Sequence, residues 1–137
     1  MALRRQTRLW LASTSLLGLL ALVGCSDERS FDAETLLAEL NDAGAGLVLG
    51  ETLPSTEESV EVRVVDFATG AGGGSTGAVV ILADADAAQA SFARCEQATA
   101  FVCFRAANAV LRFSELDPAG QRRMTGAVLA IENDPGD

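Results

Sequence analysis

Three cysteines, Cys25, Cys95 and Cys103, are the side chains of this sequence best suited to covalent chemistry. Carboxylates, arginines and hydroxyls make up the rest of the reactive inventory, because the chain has no histidine, no lysine and no tyrosine. Without histidine there is no Ser-His-Asp or Cys-His nucleophilic pair and no usual zinc site. Without lysine there is no Schiff base and no Ser-Lys dyad.

Two pairs of neighbouring carboxylates are the remaining candidates for general acid and base catalysis. They are Glu57 with Glu58, and Glu115 with Asp117. A carboxylate-based hydrolase needs two such groups that converge in one cleft, whereas adjacent acids on a surface are usually solvated. We therefore expect no catalytic residues and keep a carboxylate-based hydrolase as the least favoured alternative.

The first 24 residues have the composition of an export signal. Arg4, Arg5 and Arg8 precede an apolar run from Leu9 to Val23, about 15 residues long. A helix that spans the hydrocarbon core needs roughly 20 residues, so this run is short for a stable anchor and typical of a signal peptide. The sequence predicts that residues 1–24 are removed after export.

The run ends in Leu22-Val23-Gly24-Cys25, which resembles the lipobox of bacterial lipoproteins at every position. The resemblance covers about the first 25 residues, and the mature domain matches no functional family by its residues. It implies that the Cys25 thiol receives a diacylglycerol and becomes the mature N-terminus. Two or three acyl chains, such as palmitate, form a stable membrane anchor.

Lipidation places the protein outside the cytoplasm, in the cell envelope. Ser26 follows the modified cysteine. In bacteria with two membranes, the lipoprotein pattern associates aspartate at that position with inner-membrane retention, so serine implies the outer membrane. In bacteria with one membrane, the protein would stay on the outer face of the plasma membrane. The expected partners are the membrane, through the lipid, and an unidentified envelope protein.

Lipidation of Cys25 accounts for the odd cysteine of an exported chain and leaves Cys95 and Cys103 as a pair. The envelope permits disulfides, and a bridge here would close a short loop worth roughly 2–3 kcal/mol. We expect this bridge to join the second helix to the fourth strand. The alternative is two free cysteines that pack as small hydrophobes.

Charge excludes nucleic acid as a partner. Removal of residues 1–24 takes away three of the ten arginines and none of the 19 acidic residues, so the mature chain has seven basic and 19 acidic residues, a net charge of −12. Such a chain is repelled by phosphate backbones. The paired Asp84 and Asp86 lack the ligand pattern of a calcium loop, so we expect helix capping there, no metal and no cofactor.

The mature chain is predicted to form a tether at residues 25–30, a single domain at 31–132 and a polar tail at 133–137. The periodicity of its apolar residues predicts helices and strands in the order α-β-β-β-α-β-β-α. Tight connections and strands with one polar face favour an α+β fold, with a small antiparallel sheet of about five strands and helices mainly on one face.

Individual residues mark the expected elements. Asp32 is expected to cap the first helix, and Asp86 the second. The alternation in residues 59–67 predicts a strand that buries Val60, Val62 and Val64 on one face, with a bulge near Val64. The run Ala78 to Ala83 is apolar throughout and predicts a central strand covered on both sides.

These expectations favour a non-catalytic binding or structural domain. A sheet face free of helices would be its contact surface, bearing Glu61, Arg63, Arg105 and Arg112. The alternative is a small-ligand carrier with a cavity of at least about 300 Å³ between sheet and helices.

Overall fold

A computed structural model describes residues 29–68 and 76–134 of the chain. The lipobox, Cys25, most of the predicted tether and most of the predicted tail lie outside the described residues, as do residues 69–75. The described part has three helices and five strands in the predicted order. They are α1 (Ala33–Asp42), β1 (Leu47–Leu53), β2 (Ser59–Phe67), β3 (Thr76–Leu82), α2 (Ala85–Gln97), β4 (Val102–Ala106), β5 (Ala109–Phe113) and α3 (Pro118–Asn133).

The strands form one antiparallel sheet in the order β1-β2-β3-β5-β4. Strand β3 therefore lies at the centre, and β1 and β4 are the edges. This confirms the predicted α+β fold. It also confirms the central strand, because Val79 and Ile81 pack on one side of β3 while Val80 and Leu82 pack on the other.

The helices lie on both faces of the sheet, two on one side and one on the other. The main core packs α1 and α3 against Ala109, Leu111 and Phe113 of β5. Val110, between them in sequence, points to the opposite side and packs with Ala88 of α2. Helices mainly on one face were predicted, and α1 and α3 share one face. Because α2 packs on the opposite face, however, neither face of the sheet is free of helices, as the predicted contact surface required.

Strand β2 departs from the predicted burial pattern. Val60 is 67% exposed, because it is an extra residue where the pairing with β3 shifts register. Val62 is buried on the α2 side, whereas Val65 is buried in the main core. The expected bulge lies in β1, where two residues stand opposite Val64. Both faces of β2 are apolar, which is why its alternation breaks.

Aspartates cap all three described helices. Asp32 accepts a hydrogen bond from the Thr35 backbone N–H at 2.7 Å, and this bond lowers the pKa of its carboxyl group below the ordinary value. Asp84 caps α2 by accepting from the Ala87 N–H at 2.8 Å. The predicted cap, Asp86, lies inside the first turn instead. A cap must precede the helix with an extended backbone, and Asp84 does.

A buried asparagine joins the N-terminal segment to the sheet. Asn108 is 3% exposed and lies in the β4–β5 turn. Its side chain accepts from the Phe31 N–H at 2.7 Å and donates to the Phe31 carbonyl at 3.0 Å. It also donates to the Leu82 carbonyl at 3.0 Å. One side chain thus satisfies three backbone groups that would otherwise be buried without partners.

Contacts with the domain extend to Arg29, two residues before the predicted boundary. Arg29 forms ion pairs with Glu39 of α1 and, at 3.7 Å, with Asp134 beyond α3. Its guanidinium also stacks over the Phe31 ring at 4.8 Å. Arg29 therefore belongs to the domain rather than to the tether. At the other end, α3 continues to Asn133, the first residue of the predicted tail.

Replacement of Asn108 by alanine is expected to lower the free energy of unfolding by at least about 2 kcal/mol, because each buried group left unpaired costs about 1–3 kcal/mol. Asn41→Ala is the matched control. Asn41 makes the same pair of bonds to the Leu47 N–H and carbonyl, but it is exposed. Water can replace it, so we expect a loss of about 1 kcal/mol or less. Chemical denaturation measures both, and equal losses would contradict the role of Asn108.

Two glycines should respond in opposite directions to the same substitution. A Cβ at Gly77 of β3 would collide with the Phe113 ring and the Arg112 carbonyl, whereas one at Gly126 of α3 would meet nothing within 4 Å. Gly77→Ala is expected to destabilise the fold by about 1–3 kcal/mol through overpacking. Gly126→Ala is expected to stabilise it by about 0.5–1 kcal/mol. Thermal unfolding of the two variants tests both signs.

Candidate functional site

The α2 groove is a cleft of about 490 Å³ between α2 and the adjoining face of the sheet. Helix α2 packs over β3, β4 and β5, so the same face of β2 and β1 extends beyond it. The groove therefore has a floor of strands and one helical wall. Its lining residues are Leu53, Pro54, Thr56, Glu58, Ser59, Val62, Val80, Leu82, Ser91, Arg94, Cys95, Ala98, Phe101, Val110 and Arg112.

The floor is a continuous row of aliphatic side chains across four strands. Leu53 of β1 pairs with Val62 of β2, Val62 with Val80 of β3, and Val80 with Val110 of β5. Directly paired residues of a sheet point to the same side. With neighbouring strands about 4.8 Å apart, the row is about 14 Å long. Val110, at one end of the row, is buried beneath α2, so the part open to an elongated apolar body is shorter.

Charged groups line the groove at three positions among the described residues. Arg94 of α2 donates a hydrogen bond to Glu58 at 2.6 Å, and both side chains are exposed. Their charges cancel, and an exposed pair of this kind contributes about 0–1 kcal/mol to stability. Arg112 supplies the remaining charge, so these groups give the groove a formal charge of +1.

Arg112 has an aromatic neighbour and no carboxylate. Its guanidinium carbon lies 5.5 Å from the centre of the Phe101 ring. None of the ion pairs found in residues 29–68 and 76–134 includes Arg112. A cation over an aromatic face is held in place while its N–H donors stay available. Arg112 is therefore an available donor for an anionic group.

The disulfide between Cys95 and Cys103 confirms the predicted pairing. The two Cα atoms are 6.2 Å apart, and the bridge joins α2 to β4 as expected. Cys95 also lines the groove. Ala88 is the only fully buried residue of α2, whereas α1 has four. The bridge is consequently a major constraint on the wall of the groove.

The four residues of the predicted binding face do not share a surface. Glu61 and Arg63 of β2 pair with Ile81 and Val79 of β3. Both therefore lie on the side of the sheet that α1 and α3 cover. Glu61 accepts from the Ala33 N–H at 3.3 Å, at the start of α1. Both side chains are half-buried, and they serve the packing of α1 and the sheet edge rather than an open surface.

Arg63 in particular completes the irregular pairing of β1. Its Nε and Nη2 atoms both donate to the Gly50 carbonyl, at 3.0 and 2.7 Å. Gly50 is one of the two β1 residues that stand opposite Val64, and a bulge of this kind disrupts the regular hydrogen bonds of the ladder. Arg63 thus satisfies a backbone group that the bulge would leave unpaired.

Arg105 and Arg112, the other two residues of the predicted face, do lie on one side of the sheet. Arg105 pairs with Val110 and Arg112 with Cys103, which places both on the α2 side. Arg112 lines the groove and Arg105 does not. The predicted face is therefore divided, and Arg112 alone belongs to the candidate site.

Two of the four acidic residues considered for hydrolysis, Asp117 and Glu58, have other roles. Asp117 caps α3 by accepting from the Gly120 N–H at 2.6 Å, and Glu58 pairs with Arg94. In the described part of the chain there is no group of three potential metal ligands. Nor does any helix there have the length and apolar character to cross a membrane.

Comparison with protein-family models, with curated proteins and with solved structures finds no match to this chain. The class of protein that the fold and the groove define is a small α+β domain with an open, largely apolar cleft.

Removal of the disulfide by the double substitution Cys95→Ser and Cys103→Ser is expected to cost about 2–3 kcal/mol. The loss should fall mainly on α2, because that helix buries so little else. Amide hydrogen exchange should therefore accelerate in α2 far more than in α1. A uniform acceleration across the domain would contradict this account of the groove wall.

Proposed function

We propose that this protein is a lipid-anchored, non-catalytic protein of the cell envelope that binds a small, largely apolar ligand in the α2 groove. The observation that supports binding is the groove itself: its volume of about 490 Å³ lies within the range of about 300–1,000 Å³ of small-molecule sites. The observation that supports anchoring is the lipobox, Leu22-Val23-Gly24-Cys25.

The lining of the groove suits binding better than catalysis. Its aliphatic floor is combined with a few polar groups, as in binding sites that fix a ligand by shape. Among the described residues that line the groove, Glu58 is the only carboxylate, and hydrolysis by acids alone needs two. The sequence left a small-ligand carrier as an alternative to a protein contact surface. The lining of the groove supports the carrier more than the contact surface.

The anchor would hold the groove close to the membrane. Arg29 is fixed to α1 by its ion pair with Glu39, so only residues 25–28 would separate the lipid from the domain. Four residues span at most about 14 Å when fully extended. A domain on so short a tether would sample ligands that leave the bilayer or its surface.

The anchoring half of the proposal is tested by intact-mass measurement of protein extracted from host membranes. We expect the wild-type chain to begin at Cys25 and to carry a diacylglycerol. Cys25→Ser should keep the leader and gain no lipid. An unmodified Cys25 in the wild-type protein would refute the anchor and leave the groove unaffected.

The binding half is tested by photo-crosslinking of the wild-type lipidated protein in phosphatidylcholine nanodiscs with a diazirine-bearing dodecanol. Adducts are expected on groove residues such as Leu53 and Val80. Ser91→Trp should remove them, because a tryptophan on the groove side of α2 fills the cleft. Gln89→Trp, on the same helix but exposed and away from the groove, should keep them. Equal labelling in both variants would refute ligand binding in the groove.

A further inference from the structure

We infer that the ligand class of the α2 groove is a single-chain amphiphilic anion, a long-chain carboxylate that leaves the membrane. Its chain would lie on the aliphatic floor and its carboxylate against Arg112. This inference rests on the proposed function, because it names the ligand of the same groove.

The shape of the floor selects one elongated chain. Leu53, Val62 and Val80 lie in one row, with Leu82 beside Val80. Helix α2 covers Val110 at the end of this row, and Ser91 and Cys95 of α2 line the groove there. A ligand with one extended chain fits along these apolar side chains.

The position of Arg112 selects an anionic head group. Arg112 lies on β5 two residues beyond Val110, on the same side of the strand. Two residues of a strand span about 7 Å, so the guanidinium lies beside the end of the apolar row. A guanidinium binds a carboxylate by two parallel hydrogen bonds.

Charge complementarity makes this head group specific. The mature chain would carry a net charge of −12, which repels anions at most of its surface. Within the groove, Glu58 is neutralised by Arg94 at 2.6 Å, and Arg112 has no acidic partner among the described residues. The groove is therefore a place where an anion gains an ion pair without displacing one.

The test compares two photoreactive probes, a diazirine-bearing dodecanoate and the matching dodecanol, on the wild-type lipidated protein in phosphatidylcholine nanodiscs. We expect the carboxylate to label groove residues about three- to tenfold more efficiently than the alcohol, as one charge-assisted pair would give. Raising the ionic strength should reduce this ratio, because salt screens an exposed pair.

Variants assign the preference to one side chain. Arg112→Gln should bring the ratio of carboxylate to alcohol labelling close to one, and Arg112→Lys should restore most of it. Arg105→Gln is the matched control, because Arg105 lies on the same side of the sheet, opposite Val110, but outside the groove. It should leave the ratio unchanged.

Each outcome has a distinct meaning. Equal labelling by the two probes in the wild-type groove would overturn the anionic ligand and keep a groove that binds apolar ligands. A preference that Arg112→Gln does not alter would overturn the role of Arg112. Labelling by neither probe would overturn the proposed binding function together with this inference.

Discussion

The hydrogen bonds of Asn108 are the interaction on which the arrangement of the domain depends. Three backbone groups, two of Phe31 and one of Leu82, meet at a buried point where water cannot serve them. Because one amide side chain satisfies all three, the segment before α1 is fixed to the sheet. Phe31 can then enter the main core beside α1, and Arg29 can reach both Glu39 and Asp134. The tight β4–β5 turn that carries Asn108 also has Ala107 at a φ of 51°, a backbone that side chains rarely adopt. The unfavourable backbone of Ala107 therefore occurs directly before Asn108, whose side chain is the buried donor and acceptor.

The two faces of the sheet have different roles because they are closed to different extents. Helices α1 and α3 together bury one face, and their contacts include the largest fully buried side chains of the described residues, such as Phe113 and Leu36. On the other face, α2 contributes only Ala88 as a fully buried residue and is held to β4 through the disulfide. The first face provides the stability of the domain. The second remains open beside β1 and β2, and that opening is the α2 groove.

The fold was largely readable from the sequence, because strong local signals agree with the final packing. The apolar run from Ala78 to Ala83 predicted the central strand, and the position of Asp32 predicted the cap of α1. The groove was not readable. Arg63 and Arg112 look equivalent in sequence, each an arginine within an apolar strand. Which face each occupies depends on register and on the side that α2 takes, and these are set by long-range pairing rather than by local pattern. The one available signal was the predicted bridge from Cys95 to Cys103, which requires α2 to lie on the side of Arg112.

Closure of the groove would be costly for this sequence, which is a physical reason for it to stay open. If α2 moved over β2, the exposed ion pair of Arg94 and Glu58 would have to be buried, and burial of two charges usually costs more than their attraction returns. Arg112 would lose water without gaining an acidic partner among the described residues. The disulfide also limits how far α2 can move from β4. Within the aliphatic row, Leu53 and Val80 are therefore left half-buried by the chain itself. An apolar ligand with one acidic end would cover that row and supply Arg112 with a partner, without forcing Arg94 and Glu58 out of water.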